Sequence, residues 1–437
     1  MEMNDLIIAS VDDHVIEPPT MWDQHLPAKY ANIKPKLLRN EQGVDYWLVD
    51  GVIMEHSGLN AVVGRVREEY GAEPTSLDEM RPGVYDIKAR IDDMNANGVL
   101  SSLNFPSMAG FDGSFFKLLP NQDNAMVLLR AYNDWHIDEW CGSYPGRNIP
   151  LAIVPFWNVP EAVAEVKRVA AKGCHAISLS DNPNLKGCPS IHEEVWEPLW
   201  KVCTDNEVII NVHIGTGVTA PHASMKSPIE AWITTMPMSI SNSAADWLFM
   251  EALDRYPTLK IALSEGGIGW IPYLLERADF VHEHHSGWTH TSFGPGRKPS
   301  DRFREHFLTC FIDDRFGLKN VDEIGVDNIA YECDYPHSDC VWPHTPERLW
   351  DSLKHLPVAA INKISHENVF REYHFDAISM MGGPEKCTVG ALRAQAKHVN
   401  TEAVSLGGAT PLKPGEKPRV VTSGDIVDMF RSLRRVA

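Results

Sequence analysis

NEVIINVHIGTG, residues 206–217, decides how the chain is read. Val208, Ile209 and Ile210 open a short β-branched run of the kind found in strands covered on both faces. The run ends on His213, and Gly215, Thr216 and Gly217 then turn the chain. A helix-like segment, Glu193–Asp205, precedes it, so the local unit is a helix feeding a buried strand that carries a histidine at its carboxyl end.

Working outward, seven more apolar runs have the same character: Leu6–Val11, Val99–Phe105, Ile149–Phe156, Cys174–Leu179, Leu259–Leu263, Phe307–Phe311 and Asn328–Cys333. Helix-like segments at Glu161–Ala171, Ala244–Tyr256, Trp270–His282 and Pro346–Leu356 separate most of them. In the first of these, Pro160-Glu161 suits an amino end and Lys172-Gly173 a carboxyl end. Strands alternating with long crossovers favour a parallel sheet under helices, and eight repeats point to closure as an α/β barrel. The stretch 17–90 is too long for an ordinary connection and reads as an excursion, with a hairpin around Val44–Ile53 and a helix from Tyr85 through Asn95. A second excursion, Glu283–Arg304, is expected to cover the mouth of a pocket. After residue 376 the rhythm stops, and 377–437 forms a C-terminal extension with a short helix near Gly424–Leu433.

The 437 residues can bury a large core. With 40 basic and 59 acidic side chains the formal charge is −19, which disfavours nucleic acid as a partner. No 18-residue apolar stretch and no secretory leader is seen, so a membrane partner is not expected. Eight cysteines without a Cys-x-x-Cys pair fit a reducing cytoplasm and disfavour thiolate metal sites. A phosphate loop and a nucleophile elbow are both missing, and the glycines from Gly215 sit poorly for a dinucleotide site.

What remains is a set of acids and imidazoles at strand ends. Asp12 and His14, two apart, face one side of the first strand while Asp13 faces the other. His213 ends the fifth run, Glu265 follows the sixth ahead of Gly266-Gly267, and Asp334 follows the eighth ahead of Tyr335-Pro336-His337. Carboxylate oxygen and neutral imidazole nitrogen are ligands for divalent zinc, iron or manganese. Glu332 faces the same side as Asp334 and reads more readily as a buried structural acid than as a ligand. Glu17 and the group His282, His284 and His285 raise the question of a second metal position.

The fragments SVDDHVIEPPTMW, NVHIGTG, LSEGGIGWIPYLLERAD, ECDYPHSD and SHENVFREY together resemble amidohydrolase family 2, the branch of the amidohydrolase superfamily rich in decarboxylases and hydratases, over residues 5–376. The resemblance implies a distorted (β/α)8 TIM barrel, to which the chain's own spacing adds an insertion after strand 1 and a long C-terminal extension. It implies a divalent metal at the carboxyl mouth, held by Asp12, His14, His213 and Asp334. Glu265 stands where that family usually has a catalytic histidine. The expected activity is metal-dependent hydrolysis or decarboxylation of a small organic acid or amide, with Asp334 orienting water and Glu265 or His285 transferring a proton. Similar proteins in a divergent branch are dinuclear-metal oxygenases that hydroxylate small amines. Glu17, Glu265 and His285 make a dinuclear iron or iron–manganese oxygenase, one component of a larger enzyme, the alternative. A third reading is a non-catalytic barrel supporting another subunit. Under any of these readings, the chain's extra loops and long tail point to a homo- or hetero-oligomer.

Overall fold

The structure, a computed structural model, describes residues 1–54, 58–71, 73–407, 415 and 417–433. Among the described residues twelve strands form two sheets: β1 Ala9–Val15, β2 Lys36–Arg39, β3 Asp45–Val49, β4 Val52–Met54, β5 Ser101–Pro106, β6 Asn148–Ile149, β7 Ala152–Ile153, β8 Ala176–Ser180, β9 Ile209–His213, β10 Ile261–Ser264, β11 Phe307–Phe311 and β12 Ile329–Tyr331. The large sheet is all parallel, in the order β6-β5-β1-β12-β11-β10-β9-β8-β7. Its two ends, β6 and β7, are successive pieces of the single stretch 148–153, so the third of eight strands is broken and the ring closes through it. This is the expected (β/α)8 barrel, distorted at one strand.

Alternation along the strands separates two cores. Ala9, Leu103, Ile149, Ala176, Ile209 and Ala262 fill the barrel interior, whereas Ile177, Ile210, Val212, Ile261 and Leu263 pack outward on the helices. β9 shows the rule residue by residue: Ile209 points in, Ile210 and Val212 point out, and His213 returns inward at the mouth. β1 departs from it. Its pairing with β5 steps from Ser10↔Ser102 to Asp13↔Asn104, one extra residue on β1. That bulge reverses the alternation, so Asp12 and His14 occupy the interior side that Ala9 and Val11 fill lower down.

The first strand was expected at Leu6–Val11 but runs on through His14 to Val15. Neighbours on both edges extend it, and its polar groups are partnered or clustered within the sheet. The excursion after β1 carries a three-stranded antiparallel sheet, β2-β3-β4, rather than one hairpin, and then the helix Ile87–Asn97, capped by Asp86. Part of the expected hairpin's flank, residues 55–57, lies outside the described residues. The second excursion is also corrected. Ile271–Thr289 is one continuous helix, followed by Pro299–His306, so the histidines read as a loop lie on a helix instead.

In the C-terminal extension, Val389–Gln395 packs on Ile87–Asn97, and Arg393 pairs with Glu347. Residues 404–407 lie along the excursion: Val66 and Val404 exchange backbone bonds with Val404 and Gly64, and Glu69 accepts from Ser405 and from the Leu406 amide. The helix Ser423–Leu433 contacts Ile229–Thr235. Among the described residues no helix is long and apolar enough to cross a membrane.

Candidate metal centre

The barrel mouth gathers the ends of β1, β9, β10 and β12. His14 Nε2 lies 3.5 Å from Asp12 Oδ1 and 3.4 Å from Asp334 Oδ1. His213 Nε2 lies 3.3 Å from Asp12 Oδ2 and 3.3 Å from Glu265 Oε2. His337 joins from the loop after β12, with Nδ1 2.8 Å from Asp334 Oδ1 and its ring stacked on His14 at 3.8 Å. Two groups of donors each converge within 4.8 Å: Asp12, His14 and His213, and His14, Glu265, Asp334 and His337.

The backbone holds these side chains firmly. The Asp334 amide donates to the Asp12 carbonyl at 2.7 Å, and the His14 amide donates to the Tyr335 carbonyl at 2.6 Å, which ties the first and last strands together at the site. Asp334 and Glu265 both sit at left-handed φ, 55° and 58°. Non-glycine residues hold such angles only when their surroundings impose them, a pattern concentrated at functional sites. For Glu265, one constraint is its amide bond to Glu332 Oε2 at 3.0 Å. Another is Gly266, where a β-carbon would come within 2.3 Å of Ile240, so only glycine lets this turn approach the helix Pro237–Leu248 that precedes β10. Arg90 anchors the other side, donating to the His14 carbonyl at 2.5 Å and to Asn104. Asp13 points away, accepting from Ser10, Ser102 and the Tyr335 amide.

The unmet hydrogen-bond capacity here fits a cation. Both carboxylate oxygens of Asp12 and of Asp334, both ring nitrogens of His14, Nε2 of His213 and Nε2 of His337 are buried without a hydrogen bond. One such group costs on the order of 1–3 kcal/mol, so a whole cluster is tolerated only where something else binds it. His213 is oriented for that: its Nδ1 lies 2.7 Å from the Ile214 carbonyl, which can only accept, so Nδ1 carries the proton and Nε2 offers its lone pair inward. The charges agree. Burial, aided by Asp13, raises the Asp12 carboxyl well above the usual range, and burial with the nearby Asp334 and Asp12 does the same to Glu265 and Asp334 respectively. Burial pushes the His14 imidazole well down and His337 down to about 4, leaving both neutral and able to coordinate. A divalent ion would offset the repulsion among the acids.

Two residues considered for a second ion lie elsewhere. Glu17 is buried, but its carboxylate accepts the amides of Ser107 and Met108 at 2.9 and 2.8 Å, tying down the loop after β5. His285 is on the last turn of Ile271–Thr289; at 1.5 Å per residue that is roughly 20 Å along the helix from the mouth, and its Nδ1 accepts from Trp288 Nε1. The helical period continues through a polar stretch that reads locally as loop, which is why the sequence misplaces it. His337 is the opposite case. It stands within the quoted DYPH fragment, three residues past Asp334, yet only the turn after β12 shows that it folds back onto the cluster. Phe111, too, is invisible as a site residue in sequence; its ring lies 4.6 Å from His14 and 4.4 Å from His213, roofing the donors.

An α/β barrel with buried, unpartnered acids and imidazoles at its carboxyl mouth defines a metal-binding enzyme scaffold. The chain belongs to the amidohydrolase family, whose model matches residues 22–375; Asp12 and His14 lie just ahead of that match. Among solved structures it is similar to an amidohydrolase from Mycobacterium avium subsp. paratuberculosis K-10, at 18% identity and a TM-score of 0.63 over 84% of this chain and 99% of that one. It is similar to 5-carboxyvanillate decarboxylase from Sphingomonas paucimobilis, at 19% identity and a TM-score of 0.55 over 71% and 89%. A third is a dihydroxybenzoic acid decarboxylase from Polaromonas sp. JS666 with bound manganese and 2-nitroresorcinol, at 17% identity and a TM-score of 0.54 over 84% and 96%. No curated protein sequence matches the chain.

Proposed function

We propose that the chain is a metal-dependent lyase that decarboxylates a small, flat organic acid at the barrel mouth. The observation that carries this is the buried donor cluster without hydrogen bonds, centred on Asp12, His14, His213 and Asp334. A barrel serving only as a scaffold for another subunit has no reason to keep such a cluster, since apolar replacements would be more stable. The solved relatives that act on or hold small aromatic acids support the choice of substrate.

Asp12, His14, His213 and Asp334 would hold the ion, with His337 beside them. When bound, a divalent ion supplies Lewis-acid polarisation of a substrate oxygen. The side chains supply the rest. Phe105, fully buried, packs against the rings of His14 and His213, and Phe111, partly exposed over the same rings, gives a flat ring a surface to lie on. Glu265, whose side chain keeps 20% of its surface exposed while Asp12, His14 and His213 keep none, is the group placed between cluster and solvent to move a proton. Delivered from Glu265 Oε2 to the carbon bearing the carboxylate, that proton lets the carbon–carbon bond break, its electron pair stays on the ring, and carbon dioxide leaves.

The test is to load purified protein with manganese or zinc and follow carbon dioxide release from a panel of hydroxybenzoates. Turnover that requires metal and is abolished in Glu265→Gln is expected; a fully metal-loaded protein inert across aromatic and aliphatic acids would sink the reading. One observation favours a second possibility. Apart from His14, which could ligate only one ion, Asp12 and His213 form one set of donors and Glu265, Asp334 and His337 another, enough side chains for the pair of ions a dinuclear oxygenase would need. Two transition metals per chain and product that depends on dioxygen would select it.

A further inference from the structure

The donors at the barrel mouth are shut in. Asp12, His14 and His213 are fully buried, and the Phe111 ring stands 4.4 Å from that of His213, 4.6 Å from His14 and 6.0 Å from His337. A ring in contact with those imidazoles fills the space beside them that a substrate ring needs. Binding there requires something to give way, and the chain around Phe111 is built to do so.

Phe111 and Asp112 lie between Gly110 and Gly113, both at left-handed φ, 73° and 76°. On either side of this four-residue tip the chain is fixed. The Glu17 carboxylate takes the amides of Ser107 and Met108 before it, and Phe115 and Phe116 are buried beside Ile153 after it. The tip itself is lightly held. Among the described residues neither the Phe111 nor the Asp112 amide donates a hydrogen bond. Beyond bonds within its own turn, two ties remain. Ser178 Oγ, facing the barrel interior from β8, donates to the Phe111 carbonyl at 2.5 Å, and the part-exposed Lys186 places Nζ 3.6 Å from Asp112 Oδ2. That oxygen is buried and makes no hydrogen bond, so the ion pair alone compensates it. Glycines at both ends, fixed roots and two weak ties make a segment that opens at low cost while the barrel around it stays closed.

On the reading of the mouth as a metal centre, we propose that Phe111 is its gate, swinging about Gly110 and Gly113, with Ser178 and the Lys186–Asp112 pair as the latch that holds it shut. The ring that a substrate lies on is then also the ring that first moves aside for it, and Lys186, on the loop after β8, sets how often that happens.

The test reads access in metal-free, full-length protein: the rate at which diethyl pyrocarbonate acylates His14 and His213, located by peptide mass spectrometry, with exposed His290 as the reference. Both ring nitrogens of His14 and Nε2 of His213 are without hydrogen bonds, so each reacts once it is reached. Phe111→Ala should raise both rates about tenfold or more, as for an open state populated to about 10% or less. Ser178→Ala and Lys186→Met keep the ring and cut its ties, so each should raise the rates about two- to tenfold, the span of one weak tie. Lys186→Arg keeps the charge and should stay at the native rate. Circular dichroism checks that every variant is folded. A fixed wall predicts acceleration in Phe111→Ala alone, and that result, or a native rate in Phe111→Ala, would overturn the gate. Metal titration of the same preparations judges the site separately: a chain that takes up no metal removes the metal-centre reading, while the gate stands or falls on the imidazoles.

Discussion

The backbone amide of Glu265 donates to Oε2 of Glu332 at 3.0 Å, and the same oxygen accepts the Cys310 thiol at 2.6 Å. One buried acid therefore holds another in its left-handed conformation at the barrel mouth. Burial pushes the Glu332 carboxyl up to about 8, so it performs this as a largely neutral group near pH 7. Glu332→Gln keeps an acceptor oxygen without charge and should preserve metal content, whereas Glu332→Ala should lower metal affinity about 10–100-fold, the usual effect of losing a residue that orients a ligand. Titration with manganese, followed by calorimetry, separates the two variants.

Asp12 pays for its place in the cluster when no ion is bound. In chelator-treated protein, Asp12→Asn replaces a buried carboxyl with a neutral amide, so the variant should be more stable than the native chain by about 1–3 kcal/mol and should unfold at a higher temperature. Added metal should then stabilise the native chain and leave the variant unmoved. Thermal melts with and without manganese test both halves, and a variant that still gains stability from metal would remove Asp12 from the ligand set.

Glu17 gives a pH signature of its own. Burial raises its carboxyl to about 7, against opposing bonds from the Met108 and Ser107 amides. A raised folded-state value means that its contribution to stability is fully present below about 4.5 and is lost as pH rises through about 7. Glu17→Gln does not titrate, so its unfolding free energy should fall less between pH 5 and 8, by on the order of 1–3 kcal/mol. Denaturant curves across that range show it, and metal content should match the native chain at every pH.

His285→Ala should change neither metal content nor turnover, because the ring sits at the far end of its helix beside Trp288. A loss of activity without loss of fold would return it to the site.

Much of this was legible because strand ends are marked twice over, by an apolar run that stops and by a polar residue that would be costly inside it. His213, Asp334 and the Glu265-Gly266 turn are read that way, and the eight-strand order follows from the crossovers. The pairing of Asp12 with His14 is also visible, but not its cause. Simple alternation from Ala9 would put both outside the barrel, and only the extra residue between Ser10 and Asp13 turns them inward. Bulges depend on the partner strand, which is over 80 positions away. His285 and Glu17 mislead for a related reason. Their chemistry suits a metal, yet what they touch is set by how far a helix continues and by which loop arrives beside β1. His337 needed the turn after β12.

The hydrogen bond from Asp334 to Asp12 closes the barrel across more than 300 positions of sequence. On a ribosome adding 5–20 residues each second, Asp12 and His14 wait roughly half a minute before Asp334 and His337 exist. Until then β1 is an unfinished edge, with its β12 partner missing and two of the proposed ligands unable to capture an ion alone. Under the proposed metal chemistry, loading would have to wait until Asp334 and His337 have been added, with about 100 residues still to follow, so the supply of ion as the barrel closes would decide which metal is taken up.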